Sequence, residues 1–183
     1  MARREPIAPL KLVFFVEGSS DKAFLEALVP RILGPRVAMR VVRVGGKAAF
    51  SSTFFESAQF LDAGYASVFL LLDADTEIPD EIDRQKRQLM EVFRRYALTD
   101  HIHIHMAVPM LEAWLLAAYQ AHPEQSTHPE RDLARHAGVD AANRIGELAA
   151  ALPIEIARQR SGSLDDFIRG LEAFAPAKAR RAS

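Results

Sequence analysis

Two acidic elements, each placed directly after an apolar run, are the residues best suited to chemistry. Leu12-Val13-Phe14-Phe15-Val16 is followed by Glu17-Gly18, and Val68-Phe69-Leu70-Leu71-Leu72 is followed by Asp73-Ala74-Asp75. Short apolar runs that stop at charge or glycine read as buried parallel strands. In open α/β sheets, ligands bind at the carboxyl ends of such strands. Carboxylates at two strand ends of one sheet can converge on a divalent cation, and through it on phosphate chemistry. Glu17-Gly18 reads as a tight strand-to-helix turn. Gly18 lets the backbone pass close to a ligand, and the helix start, with Ser19 and Ser20, offers N–H groups to a phosphate. Asp73 and Asp75 are two apart, so on a strand they share a face and reach one Mg²⁺ from its end. Taken singly, each acid can equally be an ordinary loop residue.

The elements that must position these residues alternate along the chain. Residues 10 to 16 form a first strand, and Ser19 or Ser20 caps a helix beginning near Asp21. Phe24, Leu25, Leu28 and Ile32 have helical spacing, with a kink or break expected at Pro30. A second strand spans 37 to 44 and stops at Gly45-Gly46-Lys47. A helix follows with Phe50, Phe54 and Leu61 on its apolar face and Gly64 as its stop. A third strand covers 67 to 72. The segment 79 to 96 is an amphipathic helix facing inward through Ile82, Leu89, Phe93 and Tyr96. A fourth strand covers 102 to 108, and a helix opens after Pro109. After about residue 120 come short helices near 130–137, 141–151, 153–160 and 163–174, the last capped by Ser163. The expected architecture is α/β and Rossmann-like: a mainly parallel four-stranded sheet flanked by helices. An α/β domain over 8–120 carries a helical C-terminal extension over 121–175, and 176–183 is expected to be a disordered tail.

Composition narrows the classes. The chain has 183 residues, 49% hydrophobic and 26% charged, which suits one sizeable soluble domain. No apolar run reaches membrane-spanning length, and the charged N-terminus lacks a secretory apolar region. There are no cysteines, which excludes disulfides and thiolate zinc sites and fits a cytoplasmic location. The net charge of −1 counts against a stand-alone binder of duplex DNA. Basic runs at Arg3-Arg4 and Lys178 to Arg181 read as solvated tails.

At Glu17-Gly18 and Asp73-Ala74-Asp75 the sequence resembles the Toprim family, found in topoisomerases, primases and nucleases of the overcoming-lysogenization-defect (OLD) type. The run VEGSSDKAFLEALV and the segment Leu111-Glu112-Ala113-Trp114-Leu115-Leu116, with its Glu-Ala-Trp motif, are similar to OLD-like and related small bacterial Toprim proteins. The resemblance spans roughly residues 10 to 120, with a fainter likeness at Ser161 to Leu171. It implies that Glu17 acts as general acid/base or metal ligand, and that Asp73 and Asp75 hold Mg²⁺ or Mn²⁺. Glu112 becomes a further acidic site residue, or else a first-turn acid favoured by the helix dipole. Lys47 touches a phosphate or is an exposed loop lysine, and Asp21 supports the site or only the helix start. The chain carries no Walker A segment, topoisomerase tyrosine domain or primase zinc module. The implied activity is metal-dependent hydrolysis of nucleic-acid phosphodiesters, in a defence or repair setting. The alternative is a non-catalytic nucleic-acid-binding or regulatory module serving a separate ATPase, and no membrane partner is expected.

Two further sets have plainer readings. His101, His103 and His105 alternate on one strand face, which can bind zinc but more simply is a partly exposed face. Met110, Leu111 and Trp114 imitate a base-stacking surface, yet their helical spacing suits core.

Overall fold

Each apolar run becomes a strand because both of its faces are covered. The protein is seen here in a computed structural model that describes residues 9–175. Strands β1 (Lys11–Val16), β2 (Ala38–Arg43), β3 (Ser67–Asp73) and β4 (Ile102–Ala107) form one all-parallel sheet in the order β2-β1-β3-β4. The expected tail at 176–183 and the basic runs at both ends lie outside the described residues. Among the described residues, no helix is long and apolar enough to cross a membrane.

Strand alternation divides the interior into two layers. Leu12, Phe14, Val16, Phe69 and Leu71 face α1 (Ser19–Leu33), α4 (Leu111–Leu116) and the C-terminal helices. Those helices are α5 (Pro129–Ala137), α6 (Ile145–Ala151), α7 (Ile154–Arg160) and α8 (Gly162–Glu172). Val13, Phe15, Val68, Leu70 and Leu72 face the other way, towards α2 (Phe54–Asp62) and α3 (Pro79–Arg94). The first layer is continuous from Phe24 of α1 through Trp114 of α4 to Phe167 and Leu171 of α8. The C-terminal helices therefore share the core of the sheet.

Several local expectations change. Helix α1 runs through Pro30 to Leu33 without a break. Pro30 removes the N–H that would bond the Glu26 carbonyl, and buried Leu28, Val29 and Leu33 hold that turn on the core. Arg31 adds hydrogen bonds of 2.7 Å to the carbonyls of both Ala149 and Leu152, tying α1 to α6. The cap of α1 is Gly18, not Ser19 or Ser20, and Asp21 reaches back to accept the Gly18 N–H at 2.8 Å. Ser161, not Ser163, caps α8, accepting from the Leu164 N–H. Tyr96 lies beyond the end of α3, half-exposed and stacked on Phe54 with ring centroids 3.9 Å apart.

The histidine face is partly exposed, as expected, and its cover is aromatic. His101 belongs to an exposed turn before β4. His103 and His105 point into an aromatic layer, stacked on Phe69 and edged by Phe174 and Phe167 respectively. A Cβ on Gly170 would come within 2.8 Å of the His105 ring, so α8 lies directly on it. Burial pushes the His105 pKa down to about 3, and the charges of His103 and Lys86 act in the same direction. This is a packed neutral imidazole, not an exposed ligand.

Candidate active site

Strand order brings the two acidic motifs together. The chain leaves β1 for β2 on one side and later returns to β3 on the other, so the sheet reverses direction between β1 and β3. Ligands of doubly wound sheets bind at that reversal, outside the carboxyl ends. Val16 pairs with Leu71 across the two strands, which leaves Glu17 one residue and Asp73 two residues beyond that pair. Their contact is direct, since Glu17 Oε1 accepts the Asp73 backbone N–H at 3.2 Å.

The connection after β4 supplies the third part. Asp73 Oδ1 accepts the N–H of Leu111, the first residue of α4, at 2.8 Å. The neighbouring turn is pinned from the same segment: the Ala74 N–H donates to Ala107 O and the Asp75 N–H to Pro109 O. Glu112, in the first turn of α4, is half-buried near Asp21 and Glu130. On the same helix Trp114 is fully buried between Phe24 and Phe167.

The electrostatics describe a cluster of carboxyl groups that burial and mutual repulsion push towards the protonated form, with Lys47 opposing. Burial is the first cause in every case. It pushes Asp73 up to about 8, reinforced by the charges of Asp21, Glu112 and Glu17 and offset by the Leu111 N–H. Glu17 is raised by burial and by Asp21 and Asp75, while the Asp73 N–H and Lys47 oppose the rise. Glu112 is raised by burial, then by Glu130 and Asp21. Asp21 is raised by burial against the N–H groups of Gly18 and Glu17. Four carboxyl groups therefore sense one another at this edge.

Asp75 departs from its expected place. Strand β3 ends at Asp73, so the two-residue period that would align Asp75 with it no longer applies. Asp75 has φ of 56°, and its side chain is turned outward and exposed. Its Oδ2 accepts from Lys47 Nζ at 3.1 Å. Lys47 is thus no free loop lysine; it also donates to the Ala74 carbonyl at 3.2 Å, just beyond Asp73. Among the described residues, no three His, Asp or Glu side chains stand at metal-holding spacing. The donor set nevertheless suits a hard cation, being carboxylate oxygens without imidazole or thiolate.

Gly18 has φ −138°, open to any residue, and a Cβ there would only touch Asp21 at 3.9 Å. Its backbone therefore does not demand glycine. The hydroxyls of Ser19 and Ser20 make no hydrogen bond among the described residues, and Ser19 is exposed at the start of α1.

Sequence reasoning gave Asp21 a secondary place, although its position three residues after Gly18 suits a side chain that folds back to the helix start. It gave Ser163 only a capping role and missed Glu124 altogether. Ser163 Oγ accepts from Trp114 Nε1 at 2.7 Å and from the Val108 N–H at 3.3 Å, and donates to Glu124 Oε1 at 2.6 Å. Glu124 Oε1 also accepts from the Ser161 hydroxyl and the Ser163 N–H. This knot fixes the segment that presents the Leu111 N–H and Glu112 to the acidic edge. No motif in the sequence announces it.

A family model described as a domain of unknown function (DUF4276) matches residues 16–138. The matched stretch contains Glu17, Asp21, Lys47, Asp73 and Glu112. No curated protein and no solved structure matches the chain.

Proposed function

We propose that this chain, which belongs to the DUF4276 family, is a Toprim-type metal-dependent phosphodiesterase acting on nucleic acid. The observation that carries the reading is the Glu17 Oε1 contact to the Asp73 N–H, which joins the two acidic motifs across neighbouring strand ends. Asp73 and Glu112 would hold Mg²⁺ or Mn²⁺, and Asp75 joins them only on leaving Lys47. When bound, the ion would supply positive charge at the scissile phosphate and lower the pKa of an attacking water. Glu17, raised by burial and by neighbouring acids, is suited to hold and release a proton at its carboxyl. Lys47 reaches the same edge and would meet a phosphate oxygen. The Ser19 and Ser20 hydroxyls and the free N–H groups of α1 would orient it.

A second reading rests on Asp75, whose commitment to Lys47 leaves the acidic set short of the three expected carboxylates. In that reading the chain is a non-catalytic nucleic-acid-binding or regulatory module that serves a separate ATPase. Purified protein incubated with DNA and with RNA in Mn²⁺ or Mg²⁺ separates the two. Hydrolysis that disappears in both Asp73→Ala and Glu17→Ala supports the first. Inactivity of the wild type, with and without a candidate ATPase, favours the second.

A further inference from the structure

The acidic edge lies between two concavities of different chemistry. On one side, a groove of about 510 Å³ follows the end of β2, lined by Glu17, Gly18, Arg40, Arg43 and Gly45. β2 is an edge strand, and both arginines are exposed. Neither has a hydrogen bond or ion pair among the described residues, unlike Arg31, Arg144 and Arg158. On the other side, a hollow of about 260 Å³ lies between Met110 and the start of α5, lined by Thr127, His128, Glu130 and Arg131. Met110 directly precedes Leu111, whose N–H meets Asp73. The hollow therefore adjoins the acids from the α4 side.

From these placements we infer that a single-stranded polynucleotide crosses the carboxyl edge of the sheet from β2 to α5, a deepening that rests on the function proposed above. Arg40 and Arg43 hold phosphates as the strand enters. The strand then passes Glu17 and Asp73. One nucleoside settles beyond the acids against Met110 and His128, with Thr127 and Arg131 in reach of its sugar and phosphate. From β2 to β4 is three strand spacings, roughly 14 Å. With a groove at each end, that suits a site of about four nucleotides, the lower limit for single-strand grooves. Arg40 and Arg43 point to opposite faces of β2 and both line the groove at its open edge, so they make a narrow rim and not a basic face. A duplex binder that neutralises about six to ten phosphates needs a broader basic surface than a chain of net charge −1 presents here.

The test is equilibrium binding of a short fluorescent oligonucleotide to the intact chain in EDTA, which makes the readout independent of hydrolysis. DNA and RNA versions identify the sugar, and a duplex of the same sequence provides the rival shape. The single strand should bind more tightly than the duplex. Arg40→Gln with Arg43→Gln should weaken single-strand binding about tenfold and make its salt slope shallower by about 1.4, at 0.7 per lost phosphate contact. His128→Ala with Arg131→Gln should weaken it several-fold. All four side chains are exposed, so a thermal melt matching wild type confirms that the variants fold. Absent binding, tighter duplex binding, or wild-type affinity in both double variants overturns the track. Binding that follows these expectations without any wild-type hydrolysis upholds the track and removes only the hydrolytic reading. Hydrolysis with affinity unchanged in the variants does the reverse.

Discussion

Asp73→Asn should stabilise the metal-free protein at alkaline pH, the opposite of what removing a hydrogen-bonded, half-buried side chain ordinarily does. Asparagine is nearly the same size and keeps an oxygen to accept the Leu111 N–H. What it loses is a charge facing Asp21, Glu112 and Glu17. A carboxyl raised from 3.8 to about 8 binds more protons in the folded than in the unfolded chain between those values. Stability must therefore fall as pH rises through that window, and level off above it. At about 1.4 kcal/mol per pH unit the full shift sets a ceiling of about 6 kcal/mol. Glu17, Asp21 and Glu112 can take up protons in its place, so about 2–3 kcal/mol is the expected difference at pH 8.5. For a chain of this size that is a rise in Tm of about 5–10 °C. Urea and thermal unfolding in EDTA at pH 4 and pH 8.5 measure it. Wild type and variant should agree at the lower pH and separate at the higher. Added Mg²⁺ should raise the Tm of wild type and leave the variant unmoved, by mass action on the folded state. A variant less stable than wild type at both pH values would refute the reasoning, because Asp73 would then be a structural acceptor without electrostatic cost.

Three other outcomes follow from the packing. Trp114→Ala, at a fully buried position stacked on Phe24 and Phe167, should cost about 3–5 kcal/mol in urea unfolding. Ser163→Ala leaves Trp114 Nε1 without its acceptor and should cost about 1–3 kcal/mol; equal stability would show that Glu124 takes over the bond. The His105 imidazole, held down to about 3 by burial, binds fewer protons folded than unfolded up to its ordinary 6.5. Acidification from pH 7 to pH 4 should therefore destabilise wild type through this residue, and His105→Leu should lose less stability over the same range in thermal melts.

The strands were legible because a β-strand buried on both faces has a one-dimensional signature, an apolar run cut off by charge. Glu17 and Asp73 were legible for the same reason: each is the first charge after such a run. Asp75 was not, because its place depends on where pairing stops, and one residue of non-strand backbone turns a side chain away from its neighbour. Asp21 looked like a helix-start acid because it is one; its second role appears only when β1 and β3 are adjacent. The aromatic cover of the β4 histidines was not legible, because alternation shows which residues share a face and not what covers it. The cover is α8, about sixty residues further along. Ser163 had an ordinary local explanation, as a cap, that concealed a long-range one.

Helix α8 is also the last described element to leave the ribosome. Until it arrives, Phe69, His103, His105 and Trp114 lack their partners Phe167 and Phe174, and the segment bearing Glu112 lacks its knot. A nascent chain that has completed all four strands still presents one uncovered face of its sheet, the kind of surface that recruits chaperones and invites aggregation. Its acidic edge can assume its final shape only after synthesis is nearly finished. Premature termination anywhere before residue 163 should therefore yield an insoluble product, not a smaller folded protein.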